Sequence, residues 1–386
     1  MKETTADSAV LDPAARDALR TALLGYYDRH ARDLPWRRDT DPYRILVSEI
    51  MLQQTRVETV KGYYDPWLER FPTIESLAAA DEDEVLKAWE GLGYYRRARN
   101  LHKAARVVRE SAGGTMPDAY EALRALPGVG EYTAGAVASI AFGEVVPAVD
   151  GNVKRVFARL FDVPDPKPVW LRTRASELVD QGRPGDWNQA LMELGATVCT
   201  PRAPRCSGCP VAEWCAARAK GTQLERPAPP AKKSVPRADV ALAVVHDGER
   251  VLLGKRSLDG LLGGMWAFPE CRLDEAVATS VGEDARDGVR SIVSLLGLNP
   301  SATLVALPEC NHRFTHLAAR YLPFAVDISQ DASDGGGPAV LARASFDELG
   351  VTEIAWVDPS EVGDRALPRA QQKILASWLE LLPEVV

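Results

Sequence analysis

CTPRAPRCSGCPVAEWC, residues 199–215, holds four of the six cysteines of this chain. Cys199, Cys206, Cys209 and Cys215 have the spacing C-x6-C-x2-C-x5-C. The prolines and the glycine between them favour a looped backbone, from which four sulfur atoms can converge on one metal centre. Four cysteines can bind a zinc ion or an iron–sulfur cluster, and this chemistry alone does not choose between the two. Disulfide bonds, a third interpretation, would require an oxidising compartment.

A tight turn lies upstream of this cysteine segment. Leu126-Pro127-Gly128-Val129-Gly130 joins two stretches with helical periodicity, YEALRA and EYTAGAVASIAF. Proline cannot continue the first helix, and the glycines permit a reversal and a close approach of the backbone. The second helix then offers its first N–H groups to a phosphate, with Leu126, Gly128 and Gly130 as contact positions. The alternative is an ordinary helix–helix turn.

The turn and the cysteine segment together resemble the helix-hairpin-helix motif and the iron–sulfur loop of the endonuclease III and MutY superfamily. The similarity to MutY-type adenine DNA glycosylases covers nearly all of residues 14–325. It implies that the four cysteines hold a [4Fe-4S] cluster, whose role is to keep a basic loop against DNA. Cys271 and Cys310 stand outside the pattern and are expected to be small core residues.

The periodicity of the chain predicts a multi-domain protein. Residues 14–220 have apolar residues at helical spacing and form the predicted all-α helix-hairpin-helix glycosylase domain, which includes the iron–sulfur loop. Residues 221–237 are rich in proline and are predicted to be an extended linker. Residues 238–386 contain strand patterns and two helix candidates, which predict a smaller α+β domain.

The C-terminal region resembles the MutT-like (Nudix-fold) domain of MutY proteins. The clearest match is LLGGMWAFP, residues 261–269. Gly264 and Glu270 fit the start of the Mg²⁺-binding helix of a Nudix hydrolase, but Ala278, Thr279 and Gly282 stand where the arginine and glutamates belong. A hard cation needs several oxygen ligands, so we expect a recognition domain without hydrolase activity.

The charge and composition of the chain limit the classes of partner that the protein can have. The net charge of −8 and the isoelectric point of about 5.4 argue weakly against nucleic acid, but basic residues cluster within 96–109 and 202–237. These clusters could equally be solvated helix faces. The first residues lack the apolar core of a signal peptide, and no apolar run reaches membrane-spanning length. We therefore expect a monomer without a membrane anchor, located in the cytoplasm and active on the nucleoid.

Asp150 and Glu49 are the two candidate catalytic carboxylates. Asp150 precedes a helix and suits an N-cap, a role that also fixes the carboxylate in place. The resemblance implies that Asp150 faces the deoxyribose of the flipped nucleotide, where positive charge develops as the N-glycosidic bond breaks. Glu49 could be an ordinary surface residue, but at this position in MutY enzymes a glutamate protonates adenine N7. Burial beside apolar residues would raise its pKa and suit it to that task.

Tyr132 distinguishes this chain from the endonuclease III enzymes of the same superfamily. Endonuclease III enzymes carry a lysine there, which forms a Schiff base and cleaves the strand, and a phenol cannot form that imine. The resemblance therefore predicts a monofunctional glycosylase. It also implies that Tyr132 and Asn152 hold Glu49 and Asp150 and contact the sugar and its phosphate.

Other positions match MutY residues that contact the flipped or the partner base. Gln54 and Tyr94 match the residues that wedge beside the partner base, although a surface glutamine and a core tyrosine are the simple alternatives. Arg32 and Gln189 match residues of the adenine pocket. Thr315 and His316 stand where MutY proteins commonly show a serine and a histidine, and that serine hydroxyl helps to detect 8-oxoguanine. The alternative for these two is a strand with polar residues facing water.

The combined resemblance implies hydrolysis of the N-glycosidic bond of adenine mispaired with 8-oxoguanine or guanine in double-stranded DNA, a step of base excision repair. Three other readings are weaker. Tyr132 and the extra domain disfavour a lyase that acts on oxidised pyrimidines. A non-enzymatic DNA-binding module would not need Glu49 or Asp150. The broken Mg²⁺ motif disfavours a nucleotide pyrophosphatase.

Overall fold

The computed structural model describes residues 11–229, 234–273, 281–329 and 347–385. The chain divides into two compact units. The helical unit comprises Met1–Ala80 and Asn100–Ala231, and the mixed unit comprises Asp81–Arg99 and Lys232–Val386. The sequence-based domain boundaries divide the chain into consecutive segments, and they stay a prediction. In the structure, Asp81–Arg99 packs with the C-terminal strands although it lies within the predicted helical domain. Residues 230–233 of the predicted linker and positions 278 and 279 lie outside the described residues.

The first part of the chain is helical, as its periodicity predicts. Its helices are α1 (Pro13–His30), α2 (Pro42–Leu52), α3 (Val57–Arg70), α4 (Ile74–Ala79), α5 (Glu82–Ala88), α6 (Arg96–Ala112), α7 (Tyr120–Arg124), α8 (Glu131–Phe142), α9 (Gly151–Leu160), α10 (Pro168–Leu178), α11 (Pro184–Thr197) and α12 (Ala216–Lys220). Among the described residues, no helix is both long and apolar enough to span a bilayer.

One core of the helical unit supports the cysteine segment. Leu23 of α1, Phe157 of α9 and Trp187 of α11 are fully buried in it. Burying such side chains stabilises the fold by about 1.5–3 kcal/mol each. Cys199, Cys209 and Cys215 pack against the same core. The apolar faces of α9 and α11 therefore fix the position of the predicted iron–sulfur loop.

The mixed unit contains one sheet within the described residues. Its strands are β1 (Arg237–His246), β2 (Val251–Arg256), β3 (Trp266–Ala267), β4 (Glu270–Arg272), β5 (Leu304–Ala306), β6 (Cys310–Arg313), β7 (Ala318–Asp327) and β8 (Val351–Val357). The main path is β3-β2-β1-β7-β5, with β4 on β1, β6 on β7 and β8 on β2. Strands β1 and β7 are parallel, and the other pairs are antiparallel.

Two helices cover opposite faces of this sheet. The helix α13 (Val281–Leu295) shares a core with Ala241 and Ala243 of β1. The last helix, α14 (Arg369–Val385), shares another with Leu242 and Val244. Successive side chains of a strand point to opposite faces, so β1 is apolar from Val240 to Val245 because both faces are covered there.

The structure corrects one strand prediction in this unit. The sequence pattern suggests a single strand from Arg313 onward, but β6 ends at Arg313 and β7 begins at Ala318. Between them Phe314 donates its main-chain N–H to the carbonyl of Leu317 over 2.8 Å, which closes a turn. Thr315 and His316 therefore lie at the tip of a turn, not along a strand.

Candidate active site

An open cleft in the helical unit collects most of the predicted site residues. Its lining includes Arg32, Glu49, Gln54, Gly128, Gly130, Tyr132, Asp150, Asn152 and Gln189. These residues come from the loop after α1, from α2 and the residues that follow it, from the α7–α8 turn, and from α8, α9 and α11. Leu126 is buried at the start of the turn and does not line the cleft.

Glu49 is a buried carboxyl group at the inner end of the cleft. Its residue is 6% exposed, and it lies in α2 among apolar neighbours. Burial raises the pKa of Glu49 to about 7, against the lowering effect of a hydrogen bond from the Tyr132 hydroxyl. The nearby negative charge of Asp150 raises the pKa further. The carboxyl group can therefore hold a proton near neutral pH and release it to a base.

Asp150 is a carboxylate whose two oxygens are held from separate directions. As the N-cap of α9, it accepts a hydrogen bond from the main-chain N–H of Val153 over 2.7 Å. Its second oxygen accepts one from the Asn152 side-chain amide, also over 2.7 Å. Burial raises the pKa of Asp150 above its ordinary value, and these hydrogen bonds oppose the rise. A carboxylate fixed in this way can stabilise positive charge in the cleft without reorganising.

Arg155 connects this carboxylate with the cysteine segment. Its guanidinium donates to the side-chain oxygen of Asn152 over 2.9 Å and to the main-chain oxygen of Cys199 over 2.8 Å. A third hydrogen bond, of 2.7 Å, reaches the carbonyl of Gly195. One side chain thus joins the first cysteine of the predicted cluster site to the asparagine that holds Asp150.

An ion-pair network at the rim of the cleft was missed by the sequence analysis. Glu193 is 1% exposed and accepts two hydrogen bonds from Arg32, of 2.7 and 2.9 Å, and one from Arg37, of 2.9 Å. Burial raises the pKa of this carboxyl group, but the two arginines hold it below its ordinary value. Glu193 lies four residues after Gln189 on α11, so helical spacing could have identified it.

The α7–α8 turn brings its main chain into the cleft. Gly128 has a φ of 76°, a conformation that favours glycine. A Cβ atom built on Gly128 would lie 2.5 Å from the Cβ of Asn100, whereas a Cβ on Gly130 would meet no atom within 4 Å. No side chain among the described residues caps α8, whose N-cap is Gly130. The first N–H groups of α8 can therefore bind an anion.

Three residues predicted to contact the partner base, Tyr94, Thr315 and His316, belong to the mixed unit. Tyr94 is 42% exposed, has a φ of 51°, and its hydroxyl shares a short hydrogen bond with the Thr315 hydroxyl. Phe314 stacks edge-on against His312, with 4.5 Å between the ring centroids. Tyr94 and Thr315 are thus brought together although 221 residues separate them.

The four predicted cysteine ligands line a single pocket in the helical unit. Arg159, which is 2% exposed, donates to the Cys199 sulfur over 3.2 Å. Among the described residues, its other acceptors are the main-chain oxygens of Arg226, Cys199, Thr200 and Pro201, with no carboxylate among them. A buried cation without a carboxylate suits an anionic centre of thiolates and iron. The donor set fits a [4Fe-4S] cluster.

Comparisons with known proteins match three separate parts of the chain to three family models. Residues 47–181 match the HhH-GPD superfamily of base excision DNA repair proteins. Residues 199–215 match the iron-sulfur binding domain of endonuclease III, and residues 240–377 match the NUDIX domain. The cysteine segment is therefore an iron–sulfur binding domain, and the zinc and disulfide alternatives fall away.

Curated relatives extend this similarity over both units. The chain is 37% identical over 384 residues to the adenine DNA glycosylase of Mus musculus, covering 85% of this chain and 74% of the relative. It is 46% identical over 207 residues to that of Mycobacterium tuberculosis, covering 52% and 68%. A solved structure of a thermostable thymine-DNA glycosylase aligns with a TM-score of 0.51 at 33% identity, covering 54% of this chain and 98% of that one.

Proposed function

Because this chain belongs to the adenine DNA glycosylase family of base excision repair enzymes, we propose that its substrate is adenine mispaired with 8-oxoguanine or guanine. The enzyme acts as a monomer on double-stranded DNA and releases the base without cutting the strand. The proposal rests on one observation: Glu49, which can hold a proton near neutral pH, and Asp150, which hydrogen bonds fix in place, line the same cleft.

Glu49 serves as the general acid in this proposal. With a pKa of about 7, it is protonated in a large share of molecules at neutral pH. It donates that proton to adenine N7, which makes the base a better leaving group. General acid catalysis of this kind contributes about 10²- to 10⁴-fold in rate. Tyr132 hydrogen-bonds Glu49 and keeps the carboxyl group oriented.

Asp150 serves as the electrostatic partner of the sugar. As the base leaves, the deoxyribose acquires oxocarbenium-like positive charge. The carboxylate needs no rearrangement to meet this charge, because the Val153 N–H and the Asn152 amide already hold it. Asn152 contacts the sugar and its phosphate in the same step.

The flipped adenine occupies the rim of the cleft beside Arg32 and Gln189. Base flipping costs a few kcal/mol and leaves the base in need of new partners. The ion pair of Arg32 with Glu193 presents a charged, planar surface at that rim. Gly128 and Gly130 bind a DNA phosphate by their main chain and position the strand without reading its sequence.

Tyr132 makes the enzyme monofunctional because a phenol cannot form an imine with the abasic sugar. The cluster on Cys199, Cys206, Cys209 and Cys215 supplies structure, since it cross-links a loop that carries Arg202 and Arg205. The basic loop then contacts the DNA backbone.

Most of the residues proposed to recognise the partner base belong to the mixed unit. The hydroxyl groups of Tyr94 and Thr315 share a hydrogen bond at the tip of the β6–β7 turn. Together with His316 they present polar groups to the lesion, and Thr315 supplies the hydroxyl that detects 8-oxoguanine. Tyr94 and Gln54 wedge beside the partner base. Both have a positive φ, which is uncommon outside glycine and clusters at functional sites.

The test is single-turnover cleavage of a labelled duplex that carries 8-oxoguanine:A. Wild type is expected to break the strand at adenine only after alkali, and Glu49→Gln to lose this activity while still binding the duplex. Strand breakage without alkali, or a borohydride-trapped adduct in high yield, would contradict the monofunctional mechanism. Equal rates on 8-oxoguanine:A and on T:A would contradict the proposed specificity.

A further inference from the structure

The segment that carries Tyr94 forms a strained turn in the mixed unit. We call residues 90–95 the wedge turn. Gly91 and Gly93 have φ values of 95° and 73°, and Tyr94 follows at 51°. A tyrosine keeps such a conformation only when its surroundings enforce it. The contacts of the wedge turn with its neighbours therefore decide where the Tyr94 ring lies.

Arg97 holds the wedge turn from its own helix. Its guanidinium lies 5.3 Å from the centroid of the Tyr94 ring and 5.2 Å from that of Trp89. It also donates a hydrogen bond of 3.0 Å to the carbonyl of Gly93. These contacts orient the ring within the segment, but they do not link it to the strands that carry Thr315.

Glu90 supplies that link at the other end of the wedge turn. One of its carboxylate oxygens accepts a hydrogen bond of 2.9 Å from the main-chain N–H of Leu367. The other accepts one of 2.6 Å from Lys87, whose ammonium also reaches the carbonyl of Arg365. Glu90 immediately precedes the first positive-φ residue, so a movement of its backbone would move the whole turn.

The segment that receives Glu90 is itself held by the sheet. The carbonyl of Ala366 accepts a hydrogen bond of 3.0 Å from the main-chain N–H of Trp266, which begins β3. The guanidinium of Arg365 lies 4.5 Å from the centroid of the Trp266 ring. The Leu367 N–H is thus a fixed donor, so it also fixes the position of the Glu90 carboxylate that accepts its hydrogen bond.

We propose that Glu90 is a positioning residue for partner-base recognition, because its bond to the Leu367 N–H sets the wedge turn so that Tyr94 meets Thr315. This inference rests on the proposed role of Tyr94 and Thr315 in reading the lesion. Glu90 itself contacts no DNA in this account. It acts through the backbone of the wedge turn, and it influences specificity rather than the chemical step at Glu49.

Three substitutions separate this role from a general contribution to folding. Glu90→Ala removes the acceptor, and Glu90→Asp keeps the charge on a side chain one methylene too short. Glu90→Gln keeps one oxygen that can accept from the Leu367 N–H but loses the acceptor for Lys87, so its behaviour should lie between wild type and Glu90→Ala. Glu380→Gln, on the exposed face of α14, is the matched control for a lost negative charge.

The first readout is hydrogen exchange of the free enzyme, followed by mass spectrometry of peptides that cover residues 90–97. Glu90→Ala and Glu90→Asp should exchange faster in this region alone, Glu90→Gln should lie between them and wild type, and Glu380→Gln should match wild type. The second readout is the ratio of single-turnover rates on 8-oxoguanine:A and G:A duplexes. That ratio should fall by about tenfold in Glu90→Ala and Glu90→Asp, the effect of losing one charge-assisted hydrogen bond.

The outcomes distinguish the two proposals. If wild type shows no preference between the duplexes, the proposed lesion specificity fails, while the exchange data still report whether Glu90 holds the turn. If wild type discriminates and Glu90→Ala discriminates equally well, the positioning role is wrong, whatever the exchange data show. Equal losses on both duplexes in Glu90→Ala would also overturn it, because they would indicate a structural role only.

Discussion

The cleft of the helical unit and the wedge turn of the mixed unit hold their side chains in different ways. In the cleft, Glu49 is buried, Asp150 is half-buried, and hydrogen bonds from Tyr132 and Val153 hold the two carboxyl groups. At the wedge turn, Tyr94 is exposed, has a strained backbone, and is held by contacts from residues on either side of it in the sequence. Rigid burial suits a step in which charge develops, and a presented ring suits the recognition of a base. Substitutions should therefore change rate in one region and specificity in the other.

The largest effect is expected from Asp150→Asn. Asparagine is as good an N-cap as aspartate, so α9 keeps its hydrogen bond from the Val153 N–H. The negative charge is lost, and the single-turnover rate should fall by roughly 10³-fold on both mispairs. Asp12→Asn, at the N-cap of α1, is the control. A fall confined to the 8-oxoguanine duplex would break the division between the two regions.

Tyr132→Phe should move the pH dependence of the same cleft. The Tyr132 hydroxyl stabilises ionised Glu49, so its removal raises the pKa of Glu49 above the wild-type value of about 7. Because the protonated carboxyl group is the active form, the alkaline fall in rate should shift to higher pH. Single-turnover rates measured over about pH 6 to 9 give the midpoint of that fall. A shift to lower pH would show that the hydroxyl favours protonated Glu49.

A pair of glycine substitutions tests the phosphate contact. Gly128→Ala places a Cβ 2.5 Å from Asn100 at a positive φ, so the turn must move and DNA affinity should fall by about tenfold. The control is Gly62→Ala in α3, which meets no atom within 4 Å and lies outside the proposed phosphate contact, so it should bind within about twofold of wild type. The measurement is duplex binding by titration at fixed salt. Equal affinities for the two variants would exclude a steric role of Gly128.

The smallest effect is expected from Thr315→Val, which keeps the shape and removes the hydroxyl. The hydrogen bond with Tyr94 is lost, and the rate on 8-oxoguanine:A should fall by roughly three- to tenfold while the rate on G:A stays the same. The ratio of single-turnover rates on the two duplexes measures this. A ratio equal to that of wild type would remove Thr315 from lesion recognition.

Local signals in the sequence identified much of the cleft. Glu49 lies on a helix with apolar neighbours, Asp150 precedes a helix, and the cysteine spacing is specific. Each of these signals spans only a few residues. The Arg32–Glu193 ion pair joins residues 161 apart, and no short pattern encodes such a pairing. Glu193 could have been found from its helical spacing to Gln189, but Arg37 follows no regular period with Arg32.

The mixed unit shows a different limit of sequence reasoning. The strand pattern continues through Thr315 and His316 without a glycine or a proline, so nothing in the composition marks the turn there. The packing of Asp81–Arg99 with the C-terminal strands was equally hidden. Glu90 and Leu367 are 277 residues apart, and their bond uses a main-chain N–H that every residue but proline possesses. Such contacts depend on the assembled fold.

The bond between Glu90 and Leu367 also orders events during synthesis. The helical unit ends at Ala231, and at roughly 5–20 residues per second the 136 residues from there to Leu367 take about 7–27 s to translate. During that interval the helical unit can fold on the ribosome, whereas the segment that holds the wedge turn has not yet been synthesised. The residues proposed for bond cleavage can thus come together before those proposed for discrimination. The contact proposed for partner-base recognition therefore forms late in synthesis, after the residues of the cleft have been made.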